Sequence, residues 1–296
     1  MHLDKAFMDN REKRIMKNPI LWRQTKNRIF QGLVYVLSFA ALIPLFLILY
    51  HVFSLGLRFI DWDFLTHLPK PTGELGGGIS NAIVGTLMLI GMAFVLAVPL
   101  GVTTGIYLSQ NRNTRLAGFT RLAVDMLQGI PSVVIGIVAY LWVVKTLNHF
   151  SAFSGSVALA IMMLPIVVRG TEEVLKVIPD YLYEASGALG VPYYRTILKV
   201  IVPAGLPGII SGVLLAVSRI VGETAPLLFT AFGNRFMEWN PLKAVNSLPQ
   251  LIFNNAMSPY EDLQQIAWGA SVVLIILVLG SNIIARLIVK KWKVQF

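Results

Sequence analysis

The sequence predicts an all-α integral membrane protein with six transmembrane helices. Three observations carry that prediction. The 296 residues are 55% hydrophobic and only 14% charged, with mean hydropathy +0.68, whereas a soluble domain carries about 25% charged residues. Long apolar runs recur along the chain, several of them longer than the roughly 20 residues that a hydrocarbon core requires. The 25 lysines and arginines also collect in alternate connections between those runs, as the positive-inside rule demands.

Residues 1–28 form a basic tail carrying Lys5, Arg11, Lys13, Arg14, Lys17, Arg23, Lys26 and Arg28. The first span follows at 29–53. Its basic prelude is long, its apolar run exceeds the roughly 7–15 residues of a signal-peptide core, and no small-residue cleavage site follows, so it reads as a true first helix. The loop 58–80 contains Pro69, Pro71 and Gly76-Gly77-Gly78. No Lys-Ser/Thr pair follows those glycines, so they do not form a phosphate-binding loop. The second span is 81–108, and a tight polar connection at 110–115 leads to a third within 119–144. A short link, 145–151, returns the chain antiparallel through a fourth span, 152–168. The fifth span is expected at 206–232. A long loop, 233–265, then precedes the sixth span at 266–288. The transmembrane domain is thus 29–289, with a polar insert at 171–203 and a short C-terminus at 290–296.

Six spans place both termini and the 171–203 insert on one side. The tail, the 110–121 connection, the insert region and the C-terminus hold 19 Lys and Arg, the opposite loops hold five, and Arg219 lies inside a span. This asymmetry predicts cytoplasmic termini and a cytoplasmic insert. The net charge of +10 does not point to nucleic acid, because the cations sit in short tracts between apolar spans. The absence of cysteine excludes a disulfide scaffold, a thiolate zinc site and cysteine catalysis. His2, His51, His67 and His149 are scattered without metal-ligand spacing. Pro44, Pro99, Pro131, Pro165 and Pro226 fall inside spans, where each removes a backbone donor and favours a kink. No inverted repeat of the secondary-transporter kind is evident.

The insert carries Glu172, Glu173, Asp180 and Glu184 beside Lys176, Arg195 and Lys199. Asp180 is expected to cap a helix starting near Tyr181 through its carboxylate, with Leu182, Ala185 and Leu189 on one stripe. Gly190 is expected to end that helix in a left-handed conformation. Pro192 suits the first turn of a second helix, which has Tyr193, Ile197, Val200 and Ile201 as its apolar face and Pro203 as its end. Two short surface helices meeting at a bend follow. Ala185, Ser186, Gly187 and Ala188 keep the first one slim enough for another protein to approach, although a membrane-surface hairpin without a partner fits the same pattern.

Arg219 lies 13 residues beyond Leu206, about 20 Å into the expected fifth span. An arginine at the bilayer centre costs roughly 2.5–3.5 kcal/mol on insertion scales, so it should face protein or water. Glu223, four residues on, can pair with it on one helix face. The pair reads either as a structural lock or as a fixed cation in an anion pathway, where the guanidinium fork suits phosphate oxygens. Arg121 and Asp125 are expected to form a similar helix pair. Arg169 can snorkel to the interface or meet anions leaving the pathway.

Glu184-Ala185-Ser186, then Gly190, then Val200-Ile201-Val202-Pro203 resembles the Glu-Ala-Ala loop of ABC importer permeases, with Ser186, Val200 and Val202 as departures of similar size. Ser218-Arg219-Ile220-Val221-Gly222-Glu223-Thr224-Ala225-Pro226-Leu227 resembles a signature of phosphate ABC permeases. Gly129-Ile130-Pro131-Ser132-Val133-Val134 with Gly136, Asn246-Ser247-Leu248-Pro249 and Ala256-Met257-Ser258-Pro259 resemble further motifs of that family. The resemblance covers the chain from about Asn81 onward and favours an A-type over a C-type subunit.

It implies a type I importer fold (MetI-like) in a bacterial inner membrane, with the insert as a coupling helix for an ATPase. Glu184, Ala185, Ser186, Gly190 and Pro203 become coupling residues, and Arg219, Glu223 and Arg169 become substrate-pathway residues. It further implies a C-type phosphate permease as heterodimer partner, two ATP-binding subunits and an extracytoplasmic phosphate-binding protein. ATP and Mg would sit on the ATPase, since this chain has no P-loop lysine motif, and neither a cofactor nor a metal is expected on this chain. Three alternatives stay open: a permease for sulfate or molybdate, an anion transporter or channel working without ATP, and a non-transporting scaffold of a phosphate-sensing complex.

Overall fold

A computed structural model describes residues 3–71, 74 and 76–291, so residues 292–296 of the expected C-terminus, Lys293 included, lie outside the described residues. The chain divides into two compact units, Met1–Ser54 and Leu55–Phe296. Helix α1 runs Leu3–Gly56, so the basic segment expected as a tail continues the helix of the first span.

In the second unit a short helix α2, Trp62–Thr66, starts where Asp61 accepts from Phe64 N at 2.6 Å. The long α3, Ser80–Gln110, follows. Thr114 caps α4, Arg115–Gly129, by accepting from Ala117 N at 3.3 Å. The chain then forms α5, Ser132–Leu147, and α6, Ala152–Lys176. Next come α7, Tyr181–Ala188, and α8, Tyr193–Val221. The last elements are α9, Ala225–Thr230, α10, Leu248–Ala256, and α11, Glu261–Lys291. Five of the helices are long and apolar enough to cross a membrane, and α4 with α5 supplies a sixth if that bent pair is one span.

Between lipid-embedded helices apolar transfer contributes little, so small residues that admit close backbone contact set the strongest packing. Helix α3 presents Ala93, Ala97, Gly101 and Gly105 at four-residue intervals, all buried. They pack against α6, which runs parallel. A Cβ added to Gly101 would lie 2.7 Å from Val167 Cγ1, and one added to Gly105 would lie 2.6 Å from Thr171 Cβ. Leu89 meets Gly155 in the same register, so residue n of α3 faces residue n+66 of α6 along the pair. Leu159, Met163, Ile209, Val213 and Ala216 complete the core around it.

Two expected spans differ from the structure, each for a backbone reason. The third is not continuous: α4 and α5 meet at 105°. Pro131 forces Ile130 into an extended conformation (φ −75°, ψ 129°), as a residue preceding proline is forced. The fifth span runs 193–221, not 206–232, and Pro203 does not end the preceding helix. A π-helical turn at Ile197–Ile201, closed by Val202 N donating to Ile197 O, widens the ladder just before Pro203, so its missing N–H is absorbed inside the helix. At the far end Gly222 stops α8. The short α9 then packs on α5, where a Cβ on Gly136 would come within 2.7 Å of Pro226 Cα.

Gly105→Val should force α3 off the Val168 carbonyl and Thr171, and overpacking of this kind costs about 1–3 kcal/mol or more. A lowered unfolding temperature of the purified protein in detergent checks this, with Gly91→Ala, which meets nothing within 4 Å, as the neutral control.

Candidate functional site

The bend between α7 and α8 is built by its own turn chemistry. Helix α7 begins after Asp180, yet the Asp180 side chain makes no capping bond. Its residue is helical (φ −64°, ψ −24°), and its backbone carbonyl takes Tyr183 N at 2.9 Å and Glu184 N at 3.2 Å instead. The expected carboxylate cap is therefore not formed. Gly190 behaves as expected, with φ +70°. Val191 N donates to Ser186 O and Gly190 N to Gly187 O, the paired bonds of a Schellman ending. Pro192 precedes the first residue of α8.

The slender surface of α7 is open. Glu184, Ala185, Gly187, Ala188 and Gly190 are exposed, and Leu189 is 83% exposed. Ser186 is buried and donates to Leu182 O at 2.8 Å. The expected stripe thus splits. Leu182 packs on the core while Ala185 and Leu189 face away. Behind the bend, Gln110 at the end of α3 reaches both arms. Its Nε2 donates to Tyr183 Oη at 3.0 Å and its Oε1 accepts from Tyr193 Oη at 2.7 Å.

Arg219 sits in the last turn of α8 and is exposed. It takes part in none of the ion pairs or hydrogen bonds found among the described residues. The expected pairing with Glu223 is not formed, because Gly222 ends the helix and Glu223 no longer occupies the next turn of the same face. Ser218, next to Arg219, donates to Asn282 Oδ1 on α11 at 2.9 Å, so the arginine stands beside a polar junction of two spans.

The densest charge cluster centres on Glu172, which is fully buried. Arg121 Nε and Lys176 Nζ each lie 2.6 Å from its Oε1, and Arg169 Nη1 lies 2.9 Å from its Oε2. Arg169 also holds Asp125 through Nε at 3.0 Å and through Nη2. Arg121 further donates to Arg112 O and Leu108 O, both at 2.8 Å. The expected Arg121–Asp125 pair is therefore replaced by bonds across helices. Arg169 has its donors committed to two carboxylates. The local part of this cluster is legible in sequence, since Arg169, Glu172 and Lys176 at i, i+3 and i+7 share one helix face, whereas Arg121 joins it from another helix. Among the described residues, no three His, Cys, Asp or Glu side chains are grouped as a metal cage requires.

Outside the spans, the loop between α9 and α10 is tied by Glu238, which accepts from Trp239 N and Asn240 N and pairs with Lys243 at 3.2 Å. The Asn240 amide, with help from Lys243, holds this carboxyl below its usual range.

This architecture has known relatives. Residues 97–294 match the family described as "Binding-protein-dependent transport system inner membrane component". The chain belongs to that family. It is 40% identical to the "Phosphate transport system permease protein PstA" of Yersinia pestis over 99% of this chain and 98% of that protein. It is 38% identical to the protein of the same name from Haemophilus influenzae, over 90% and 94% of the two chains. To "PstA 1" of Mycobacterium tuberculosis H37Rv it is 37% identical over 95% and 93%. Among solved structures, an inward-facing MetNI methionine ABC transporter chain superposes with TM-score 0.59 at 22% identity, over 73% of this chain and 95% of that one. The fold is therefore that of a MetI-type ABC permease, and the protein is a multi-pass membrane component of a transport system.

Removing Glu172 leaves three cations facing one another, and breaking a buried ion pair costs about 3–5 kcal/mol. Glu172→Ala should lower stability in detergent sharply. Asp125→Asn, at a 54% exposed side chain, should lower it by about 1 kcal/mol or less, and thermal unfolding of both variants checks the order.

Proposed function

We propose that this chain is the membrane-spanning permease subunit of an ATP-driven importer of inorganic phosphate and forms half of its translocation pathway. One observation carries the reading: relatives named as phosphate transport system permeases align with nearly the whole chain at 36–40% identity. The site geometry supports it. Arg219 offers a guanidinium fork with no partner among the described residues, and such a fork donates two parallel hydrogen bonds to phosphate oxygens. Its exposure in an isolated subunit fits a pathway shared with a second permease, in which the arginine faces solute rather than lipid. With Glu223 turned onto another segment, that carboxylate acts as a neighbour of the pathway and not as a clamp on the arginine. Arg169 is the weaker pathway candidate, because Asp125 and Glu172 already occupy its donors.

Glu184, Ala185 and Gly190 lie on the face offered to an ATP-hydrolysing subunit, on the cytoplasmic side with both termini, while Ser186, expected on that face, is buried and supports it from behind through its bond to Leu182 O. Pro203 sits inside α8, just after the π-helical turn that accommodates it, rather than at the end of a surface helix. The assembly we propose holds a C-type phosphate permease, two ATPase subunits carrying ATP and Mg, and an extracytoplasmic phosphate-binding protein. A permease for sulfate or molybdate would show itself by competing for uptake.

Arg219→Ala should abolish phosphate uptake while the complex still assembles. Arg219→Lys should retain charge yet transport at least about tenfold more slowly, the loss expected when one charge-assisted hydrogen bond of about 1.5–3 kcal/mol is missing. Full uptake by the lysine variant would refute two-pronged recognition. Gly190→Val puts a β-branched residue at φ +70°, which should deform the bend and prevent ATPase co-purification, read by affinity pull-down of the solubilised complex.

A further inference from the structure

The 171–203 bend has little covalent stiffness of its own. Its two arms meet at a four-residue turn, and the face of α7 away from the core is open. Behind it lies a polar cavity of about 180 Å³ lined by Ser109, Gln110, Arg112, Asp180, Tyr183 and Tyr193. Gln110 spans this cavity with a bond to Tyr183 on one arm and a bond to Tyr193 on the other. An amide suits this task because it donates at one end and accepts at the other, whereas a carboxylate can only accept. Its Nε2 also lies 3.0 Å from Ser109 Oγ, which further fixes its orientation.

Gln110 is also the last residue of α3, and α3 is the helix that packs backbone-close against α6. We infer that Gln110 is a positioning residue that clasps both arms of the bend to the end of α3, so that force applied to α7 moves the α3–α6 pair together with α8. The inference rests on the reading of α7 as the ATPase-docking element. Without the clasp α7 would pivot at Gly190 and the push would be spent within the turn. The clasp binds no solute and touches no nucleotide; it fixes how much of the stroke reaches the spans.

The test uses the whole importer in proteoliposomes, with phosphate uptake and ATP hydrolysis measured on the same samples. Gln110→Leu removes both bonds to the arms, together with the bond to Ser109, at similar volume. Tyr183→Phe and Tyr193→Phe remove one each and keep the rings. Two net hydrogen bonds are worth a factor of roughly ten in an equilibrium, so phosphate moved per ATP should fall about tenfold in Gln110→Leu and in the double Phe variant. The triple variant should fall no further, since coupled groups are not additive. In every case the ATPase should still co-purify and hydrolyse ATP. An unchanged phosphate-to-ATP ratio in the double Phe variant would overturn the clasp, as would a triple variant whose losses simply add. If Gln110→Leu fails to assemble, the two Phe variants decide alone. Failure of the wild-type chain to retain any ATPase would instead refute the docking reading.

Discussion

The contact between α3 and α6 is the constraint from which the other features take their positions. Two helices in lipid gain little by hiding apolar surface from each other, so their stability depends on how closely their backbones approach. Gly101 and Gly105 let α3 settle onto Val167, Val168 and Thr171 with no room for even a methyl group. That closeness brings the Leu108 carbonyl within reach of Arg121 and seats Glu172 where water does not reach it. It also delivers Gln110 to the bend between α7 and α8. A polar cluster of this kind is stable only when its members are satisfied together.

Proline breaks work against that rigid pair in a definite way. At Pro131 the chain turns through 105°, whereas at Pro203 the same residue type is carried inside a helix by a π-helical turn. The two outcomes follow from what surrounds each proline. Ile130 has no wide turn before it and must become extended, whereas Ile197–Ile201 has already shifted its ladder by one residue. The chain thus leaves its membrane helices broken at Pro131 and at Gly222, on either side of the contact between Gly136 and Pro226, and unbroken through the start of α8. In a membrane, a broken helix is tolerated only where its free backbone groups are buried in protein or face water.

Much of this architecture is legible in the amino-acid sequence. Hydropathy reports the length of apolar runs, a local quantity, and the expectation of six spans follows from it. Gly190 can be read as a left-handed terminator because that preference belongs to the residue itself. Asp180, Pro203 and the pairing of Arg219 with Glu223 mislead for a shared reason: each inference assumes that a helix stops or continues where local propensity suggests. The backbone of Asp180 is helical, and its carboxylate makes no bond to the free amides it was expected to cap.

Taken by itself, the sequence determined the class of protein, the placing of most of its apolar spans and the glycine turn of its bend, because these depend on composition and on single-residue conformational preference. Tertiary structure alone decided which charges meet across helices. Arg121 finds Glu172 across 51 residues and Arg169 finds Asp125 across 44, because a desolvated charge pairs with whatever packing brings near, not with its nearest neighbour in the chain. The bridge from Gln110 to two tyrosines more than seventy residues away has the same origin.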